Sequence, residues 1–417
     1  MSDTPNKPIH LSAFLQGIGF FPSGWRHPDA SPADVFSMDY YAKVGRMVEG
    51  ACFDAIVFGD QLQARLIGDR TPEFMPMPTL DPMALLTAMA SVTSHVGLVN
   101  TLSTTYNTPE ALAERFGTMD RMSGGRAGWN IVTSAHPDTA ANFGNEPMPE
   151  KSLRYKMAAD VVARAQEIWR EQNAARGASP QMRPVFVQAG QSGDGRDFAA
   201  RTAEAIFCPA ATKEDGITFR NDLRERIAQV GRDPDGVRIM PGLSFVLADS
   251  EEEACAKHQG ILDLAHDDLC LEYLSESLCC NLLGFDRNAP VPTEAILAAT
   301  TLPKADVARA LERPVQLGWT LLEFAVNFLK HPRGHNVFIG TPAQMADMMI
   351  EWVNEGACDG FTLQPAYMPG ELEIFVDQVV PILQAKGALR KEYPGTTLRE
   401  TMGLPRYPAD MVEGAVV

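Results

Sequence analysis

The segment 125–144, which reads GRAGWNIVTSAHPDTAANFG, combines a turn, a β-rich run and a group of polar side chains. The run 129–133 starts with Trp129, ends in polar residues, and is followed by His136. A barrel strand presents its carboxyl end to a ligand in this way. An ordinary core strand with a polar exit loop has the same pattern, so both interpretations stay open on this segment alone.

Polar residues recur where other predicted strands end. They are Asp60 after the second strand, Ser103, Thr104 and Thr105 after the third, Asn130 and Thr133 within the fourth, and Gln188 and Ser192 around the fifth. The loops at the carboxyl ends of parallel barrel strands meet on one face of the barrel, and active sites are built there. We therefore predict that these side chains belong to one site.

A glycine-rich turn, QAGQSGDGR at 188–196, lies between a predicted strand and a predicted helix. Glycines let backbone N–H groups approach an anion, and a helix N-terminus favours negative charge. The spacing of Gly190 and Gly195 imitates a nucleotide P-loop, but Arg196 and Asp197 stand where Lys and Ser or Thr are needed. The turn therefore predicts a monophosphate anchor rather than a triphosphate site; a turn without a ligand is the alternative.

Two other kinds of site are not expected. No G-x-G-x-x-G follows a predicted strand, so the chain shows no dinucleotide site of its own. His331 and His335 have the i, i+4 spacing of metal ligands on a helix, but Pro332 and Gly334 interrupt the helix and no acidic ligand is nearby in sequence. We predict no metal site.

Composition limits the class of protein. The chain has 417 residues, of which 45% are hydrophobic and 21% charged, as in a globular protein. Its net charge of −17 argues against nucleic acid and anionic membranes as partners. The first residues do not resemble a secretion signal, no apolar run is long enough to span a membrane, and the seven cysteines form no CxxC motif. A cytoplasmic location is expected.

Short β-rich runs alternate with helical stretches along the chain. The eight runs are residues 9–15, 54–60, 96–102, 129–133, 184–190, 205–208, 237–248 and 360–365. This order predicts a (β/α)₈ barrel formed by one domain, residues 1–417. Residues 249–337 are mostly helical and are predicted to be an insertion after the seventh strand. Residues 386–417 are predicted to be a C-terminal tail that wraps the surface or a partner subunit.

The chain resembles the bacterial-luciferase-like flavin monooxygenases, and within them the nitrilotriacetate, EDTA and dibenzothiophene-sulfone monooxygenase group. Matching segments occur in order along nearly the whole chain, and the most specific are the fourth and fifth strands. They include GWR, FDAIVFGD, LSTTYNTPE, GRAGWNIVTS, AANFG, RPVFVQAGQSGDGRDFAARTAE, GHNVFIGTP, GACDGFTLQP and TLRETMGLPR. The resemblance implies the same (β/α)₈ barrel with an insertion after strand seven.

The resemblance also implies an activity. Members bind reduced FMN (FMNH₂) that a separate NAD(P)H:flavin reductase delivers. O₂ then adds to the flavin as a C4a-hydroperoxide, which oxygenates a small organic substrate at a C–N, C–S or related bond. The protein would hold the flavin, exclude water and position the substrate. A homodimer or homotetramer is expected.

The resemblance assigns roles to individual residues. His335 would face the reacting centre and Asn130 would lie under the flavin ring, so these two are the predicted catalytic positions. Asp60 with Thr104 or Thr105 would contact the ring and the ribityl chain. The full set of predicted cofactor-binding residues is Asp60, Thr104, Thr105, Asn130, Lys151, Tyr155, Gly190, Ser192, Gly193 and Arg196.

The chain departs from the family at two places. The family commonly has His four residues before the tyrosine at 155, where this chain has Lys151; the cation can satisfy a phosphate, but a proton-transfer role would be lost. Between Trp169 and Arg183 the chain lacks several tens of residues, so either the pocket is more open or that segment is missing from the sequence. Two alternatives to the monooxygenase remain: a flavin-binding protein without catalysis and a deazaflavin-dependent hydride-transfer enzyme.

Overall fold

Eight parallel strands close into a barrel in the computed structural model, which describes residues 6–60, 62, 66–67, 71–73, 80–134, 136–144, 147–330 and 334–407. The strands of the sheet, in chain order, are β1 His10–Leu15, β2 Ala55–Phe58, β3 Gly97–Ser103, β4 Ala127–Val132, β5 Val185–Gln188, β6 Ala205–Cys208, β7 Arg238–Leu247, β8 Asn336–Gly340 and β9 Gly360–Pro365. Neighbours pair in parallel from β1 to β7, and β9 closes the barrel between β7 and β1. The predicted (β/α)₈ barrel is confirmed.

The sheet contains one strand that the sequence did not predict. β7 is ten residues long; its first half, 238–241, pairs with β6, and its second half, 243–247, pairs with β8. β9 pairs with the other edge of β7. β6 and β8 therefore share one edge of β7, and β8 extends the barrel wall at the carboxyl end, where β6 has ended. The strand that was not predicted is β8. It is five residues long and begins within the predicted insertion at 249–337, so the predicted order of elements does not contain it.

Helices surround the barrel and follow the strands. They are α1 Met38–Gly50, α2 Pro82–Ala90, α3 Pro109–Met122, α4 Lys151–Arg176, α5 Gly193–Thr202, α6 Lys213–Gln229, α7 Glu251–Asp263, α8 Asp267–Ser277, α9 Thr293–Ala299, α10 Lys304–Gln316, α11 Leu321–Leu329, α12 Pro342–Asn354, α13 Gly370–Ile374, α14 Val380–Ala385 and α15 Leu398–Thr401. The start of α3 shows the sequence rule: Thr108 caps the helix by accepting from the Ala111 N–H, and Pro109 occupies the first turn. Among the described helices, none has the length and apolar composition of a membrane span.

Helices α7 to α11 form the insertion between β7 and β8. They share an apolar cluster with Phe21, Val246, Ala366 and Tyr367, which lie at or after the ends of β1, β7 and β9. The insertion therefore packs on the carboxyl end of the barrel, on the side of these three strands. The division of the chain into one domain, an insertion at 249–337 and a tail from 386 stays a prediction.

Helix α15 closes the opposite, N-terminal end of the barrel. Leu398 packs against Gly97 and Gly128, where a Cβ on Gly97 would overlap the leucine side chain. Arg399 donates to Glu204 at 2.7 Å, as Arg183 does at 2.9 Å. Burial alone would raise the pKa of Glu204, but the two guanidinium groups outweigh burial and lower the pKa to about 2. The described part of the tail is thus anchored on the barrel floor.

The short connection between α4 and β5 also lies at the N-terminal end. Helix α4 begins near the carboxyl end and runs about 39 Å towards the floor. There Ser179 and Gln181 donate to the buried carboxylate of Asp120, whose pKa burial raises. Because the connection is remote from the carboxyl end, its length does not by itself determine how open a site at that end is.

Candidate functional site

A cavity of about 420 Å³ opens at the carboxyl end of the barrel. Ser103, Thr133 and Gln188, which the strand ends predicted, line it. Four of the ten predicted cofactor-binding residues also line it, namely Asp60, Asn130, Tyr155 and Gly190. They come from the exit of β2, from β4, from α4 and from the exit of β5. The volume lies within the roughly 300–1,000 Å³ that is typical of small-molecule and cofactor sites.

A chain of hydrogen bonds holds Asn130 in the cavity wall. Its Nδ2 donates to Thr101 Oγ1 at 2.9 Å, and the Thr101 hydroxyl donates to the Phe58 carbonyl oxygen at 2.7 Å. The buried Oδ1 of Asn130 has no hydrogen-bond partner among the described residues. Since a buried acceptor that stays unsatisfied costs free energy, a polar ligand at this wall would complete the network.

Gly190 and Tyr155, which line the cavity, adjoin the first turn of α5, whose own residues and the Ser192 cap are not among the described lining. Ser192 caps the helix, its Oγ accepting from the Gly195 N–H at 3.3 Å. A Cβ on Gly195 would lie 2.7 Å from Tyr155 Oη and 2.9 Å from the Cα of Gly190, so only glycines allow these groups to pack together. The tyrosine hydroxyl and the N–H groups of the first turn thus lie together, an arrangement that binds phosphate.

Three further predicted phosphate residues are placed differently. The guanidinium of Arg196 donates to Asp222 at 2.9 Å and lies over the Phe219 ring, which directs it towards α6. Lys151 is the exposed first residue of α4. Gly193 is the first residue of α5, and a Cβ there would meet nothing within 4 Å. None of the three is among the described residues that line the cavity; their cofactor contacts stay predictions.

Thr104 and Thr105 connect two strand exits. Their hydroxyls donate to the carbonyl oxygens of Val132 at 3.3 Å and Thr133 at 2.7 Å. The cavity wall is instead formed here by Ser103, in the same LSTT run, and by Thr101, two residues earlier. Successive side chains of a strand point to opposite faces, so Thr101 faces the same way as Ser103. This alternation could have identified Thr101 as an inward residue from the sequence.

Two aromatic rings, which the sequence analysis did not select, form another wall. Phe14 and Phe207 line the cavity and meet edge to face, with centroids 5.9 Å apart and planes at 81°. The His335 ring lies 5.1 Å from the Phe207 ring and packs against Gly242, where a Cβ would be 2.5 Å from Nδ1. His335 thus lies behind Phe207 as seen from the described lining, and its catalytic role stays a prediction.

The polar groups that line the cavity are suited to binding a ligand by hydrogen bonds. Among the described lining residues, the ionisable side chains are Asp60, His136 and Tyr155, and hydroxyls, amides and backbone groups supply the other polar atoms. In the described part of the chain, no three His, Cys, Asp or Glu side chains are grouped so that they could hold a metal ion; His331 lies outside it. The residues present fit a ligand with a phosphate at one end and a planar polar ring at the other.

Known proteins resemble this chain over nearly its whole length. A family model described as luciferase-like monooxygenase matches residues 18–358. N-acetyl-S-(2-succino)cysteine monooxygenase of Bacillus subtilis (strain 168) is 37% identical over 435 positions, covering 96% of this chain and 97% of the relative. Nitrilotriacetate monooxygenase component A of Aminobacter aminovorans is 35% identical over 444 positions, with coverages of 96% and 97%. The crystal structure of a riboflavin lyase with a modified FMN and riboflavin has a TM-score of 0.81 and 26% identity, covering 96% of this chain and 97% of that one.

The lengths of these alignments bear on the short connection between α4 and β5. The alignment with the Bacillus subtilis protein has 435 positions, more than the 417 residues of this chain. It therefore contains gaps, and the relative has residues that this chain lacks. The predicted place of the deficit, between Trp169 and Arg183, stays a prediction.

Proposed function

The chain belongs to the luciferase-like monooxygenase family, as its motifs predicted, and we propose that it is the oxygenase component of a two-component system that uses reduced FMN. Membership makes it a flavin-dependent monooxygenase. In the proposed reaction, FMNH₂ comes from a separate NAD(P)H:flavin reductase. With O₂ as co-substrate, the enzyme oxygenates a small organic compound at a C–N, C–S or related bond.

The observation that carries this proposal is the fit of the cavity to FMN. The phosphate end has the N-terminus of α5, the Ser192 cap and the Tyr155 hydroxyl, which converge because Gly190 and Gly195 have no side chains. The ring end has Asn130 with its unsatisfied Oδ1. A flavin ring carries N–H groups and carbonyl oxygens along its polar edge, and such groups suit an amide.

Each part of the chain then has a role in the reaction. Reduced FMN supplies the electrons that activate O₂. The α5 turn and Tyr155 bind the phosphate and so fix the position of the ring. The pair Phe14 and Phe207, with the insertion behind β7 and β9, makes the far wall apolar and limits the access of water.

The need for a separate reductase rests on two observations. The relative from Aminobacter aminovorans is named component A of its monooxygenase, which indicates a multicomponent system. The sequence has no nicotinamide-binding motif of its own. A homodimer or homotetramer and a cytoplasmic location stay predictions.

The relatives also guide the choice of substrate. One acts on an N-acetyl-S-(2-succino)cysteine, which contains a thioether, and another on nitrilotriacetate, an amine with three carboxylates. In this chain the guanidinium of Arg26 is paired with the Glu73 carboxylate at 2.5 Å, and His266 donates to the same carboxylate at 2.8 Å. Neither Arg26 nor its partners are among the described residues that line the cavity, so this ion pair adds no cation to that lining.

Oxygen uptake with a panel of thioethers, sulfones and tertiary amines tests the function. The purified chain is mixed with FMN, NADH and a generic flavin reductase, and oxygenated product is measured by mass spectrometry. We expect product only in the complete mixture, and less with Ser192→Ala or Asp60→Ala because FMNH₂ binds more weakly. Turnover with NADH in the absence of the reductase would contradict the division between two components.

A further inference from the structure

A second, smaller cavity of about 40 Å³ lies inside the barrel, on the floor side of the candidate flavin site. Side chains from all eight barrel strands surround it, and Met402 of the C-terminal segment closes its far end. Its volume is two to four times the roughly 10–15 Å³ that one water molecule needs, so one or two small molecules fit.

The wall of this interior cavity is mostly apolar. Its apolar side chains in the lower barrel are Ala55, Val57, Val99, Val187, Ala205 and Met240. Among the described lining residues, polar groups come from Ser12, Asn130 and Thr362. The amide nitrogen of Asn130 is already bonded to Thr101, and the hydroxyl of Thr362 faces the Met240 carbonyl oxygen at 3.5 Å. For a water molecule, which needs two to four polar partners, the remaining polar atoms are the Ser12 hydroxyl and the Oδ1 of Asn130, and apolar side chains form most of the rest of the wall.

A partition one side chain thick separates the interior cavity from the larger cavity. Phe14, Asn130 and Phe207 line both spaces. The two phenyl rings meet edge to face and form the apolar part of the partition. A small molecule in the interior cavity is therefore next to the wall on which the flavin ring is proposed to lie.

We propose that the interior cavity binds dioxygen and supplies it to reduced FMN from beneath Asn130. The proposal rests on the proposed function, because it takes FMNH₂ to be bound in the larger cavity. Dioxygen is a small apolar molecule that loses little on leaving water, and dry apolar cavities in proteins take up apolar gases such as xenon. Phe14 and Phe207 let it pass by small rotations, and the mostly apolar lining favours dioxygen over water.

Xenon locates such a cavity without any flavin. Crystals of the full-length, flavin-free protein are pressurised with xenon, and anomalous differences are measured. We expect a xenon peak between Ala55, Ala205 and Met240. An ordered water at this place that makes two or more hydrogen bonds, or the absence of xenon there, would overturn the proposal.

Two cavity-filling variants test the supply of dioxygen. Ala55→Val and Ala205→Val add methyl groups from opposite strands, and Ala346→Val makes the same change in α12, away from both cavities. Each protein is loaded anaerobically with FMNH₂ and mixed with buffers of increasing O₂ concentration. Without substrate, FMNH₂ and O₂ give FMN and H₂O₂, so the flavin absorbance follows the transfer of two electrons and two protons.

The second-order rate constant for O₂ is the deciding quantity. We expect it to fall about tenfold in Ala55→Val and Ala205→Val, which corresponds to about 1.4 kcal/mol in the barrier, and to stay unchanged in Ala346→Val. The Kd for FMNH₂ and the Tm should change little. Equal rate constants in all four proteins would overturn the proposal. Failure of the wild type to bind FMNH₂ would instead contradict the proposed function, and the xenon experiment would still decide the interior cavity.

Discussion

The hydroxyl of Tyr155 in α4 lies against Gly195 in the first turn of α5, so closely that a Cβ on the glycine would come within 2.7 Å of it. Gly195→Ala should therefore displace the hydroxyl from the proposed phosphate position and raise the Kd for FMNH₂ about tenfold, as expected for a lost hydrogen bond to a charged group. Anaerobic fluorescence titration measures the Kd. Gly193→Ala, with open space around its Cβ, is the control for folding and should leave the Tm unchanged. A Gly195→Ala protein with wild-type affinity would refute the assignment.

Loss of the hydrogen bond between Thr101 and Asn130 should weaken FMNH₂ binding at the ring end, by less than Gly195→Ala does at the phosphate end. Thr101→Val keeps the shape of the side chain but removes the acceptor that holds the Asn130 amide. We expect the Kd for FMNH₂ to rise about threefold to tenfold and the Tm to fall by a few degrees, because one buried hydrogen bond is lost. Thr87→Val, which removes the bond from the Thr87 hydroxyl to the Met83 carbonyl oxygen in α2, outside the described lining, is the control. Equal effects of the two variants on flavin affinity would argue against a role for Asn130.

Two roles are possible for Arg196, binding of the phosphate and pairing with Asp222, and mutation distinguishes them. The resemblance assigns it to the phosphate, whereas its guanidinium is paired with Asp222 in the structure. If the pairing with Asp222 is its role, Arg196→Met and Asp222→Asn should change the Kd for FMNH₂ less than threefold and lower the Tm alike. If Arg196 binds phosphate, Arg196→Met should weaken binding strongly, and Asp222→Asn, which releases the cation, should not. The titration used for Gly195→Ala decides between these results.

The buried carboxylate of Glu204 predicts acid sensitivity of the barrel floor. Its pKa is lowered to about 2 in the folded protein, against about 4.3 in an unfolded chain. A lowered folded pKa gives a stabilising contribution that is complete above about pH 4.3 and is lost as the pH falls towards 2. Urea denaturation at pH 6 and pH 3 measures the free energy of unfolding. The fall between these values should be smaller in Glu204→Gln, and an identical fall would contradict the prediction.

Arg399 should be among the most sensitive positions in the described tail. Arg399→Leu leaves the buried Glu204 with Arg183 as its remaining guanidinium partner and should cost about 3 kcal/mol in the free energy of unfolding. Arg309→Leu, at an exposed arginine 3.9 Å from Asp306, should cost less than about 1 kcal/mol. Chemical denaturation compares the two. Similar small losses would show that the tail is not anchored through Glu204.

The sequence predicted the barrel because hydrophobic alternation and the order of elements are local signals. All eight predicted runs coincide with barrel strands, and α3 begins at the Thr108 cap and Pro109, residues that favour a helix start. β8 was not predicted, because the predicted insertion ends at 337, within the apolar run Val337–Ile339, and the pairing of β8 with β7 depends on how far β7 extends. Strand pairing depends on residues far apart in the sequence, and local hydrophobic periodicity does not indicate it.

The site was predicted in part for similar reasons. Asp60, Asn130, Tyr155 and Gly190 follow from motifs, and they do line one cavity. The partners of Arg196 could not be predicted, because Asp222 lies on another helix and 26 residues further along the chain. The same holds for Phe14 and Phe207, whose edge-to-face contact exists only when β1 and β6 face each other across the barrel.

A crystal structure of the protein with FMN bound tests the central claim most directly. We expect the phosphate within hydrogen-bond distance of Tyr155 Oη and the first turn of α5, and the flavin ring against Asn130. The partition of Phe14 and Phe207 should lie beside the ring. Flavin bound outside the cavity of about 420 Å³, or no bound flavin at saturating FMN under reducing conditions, would contradict it.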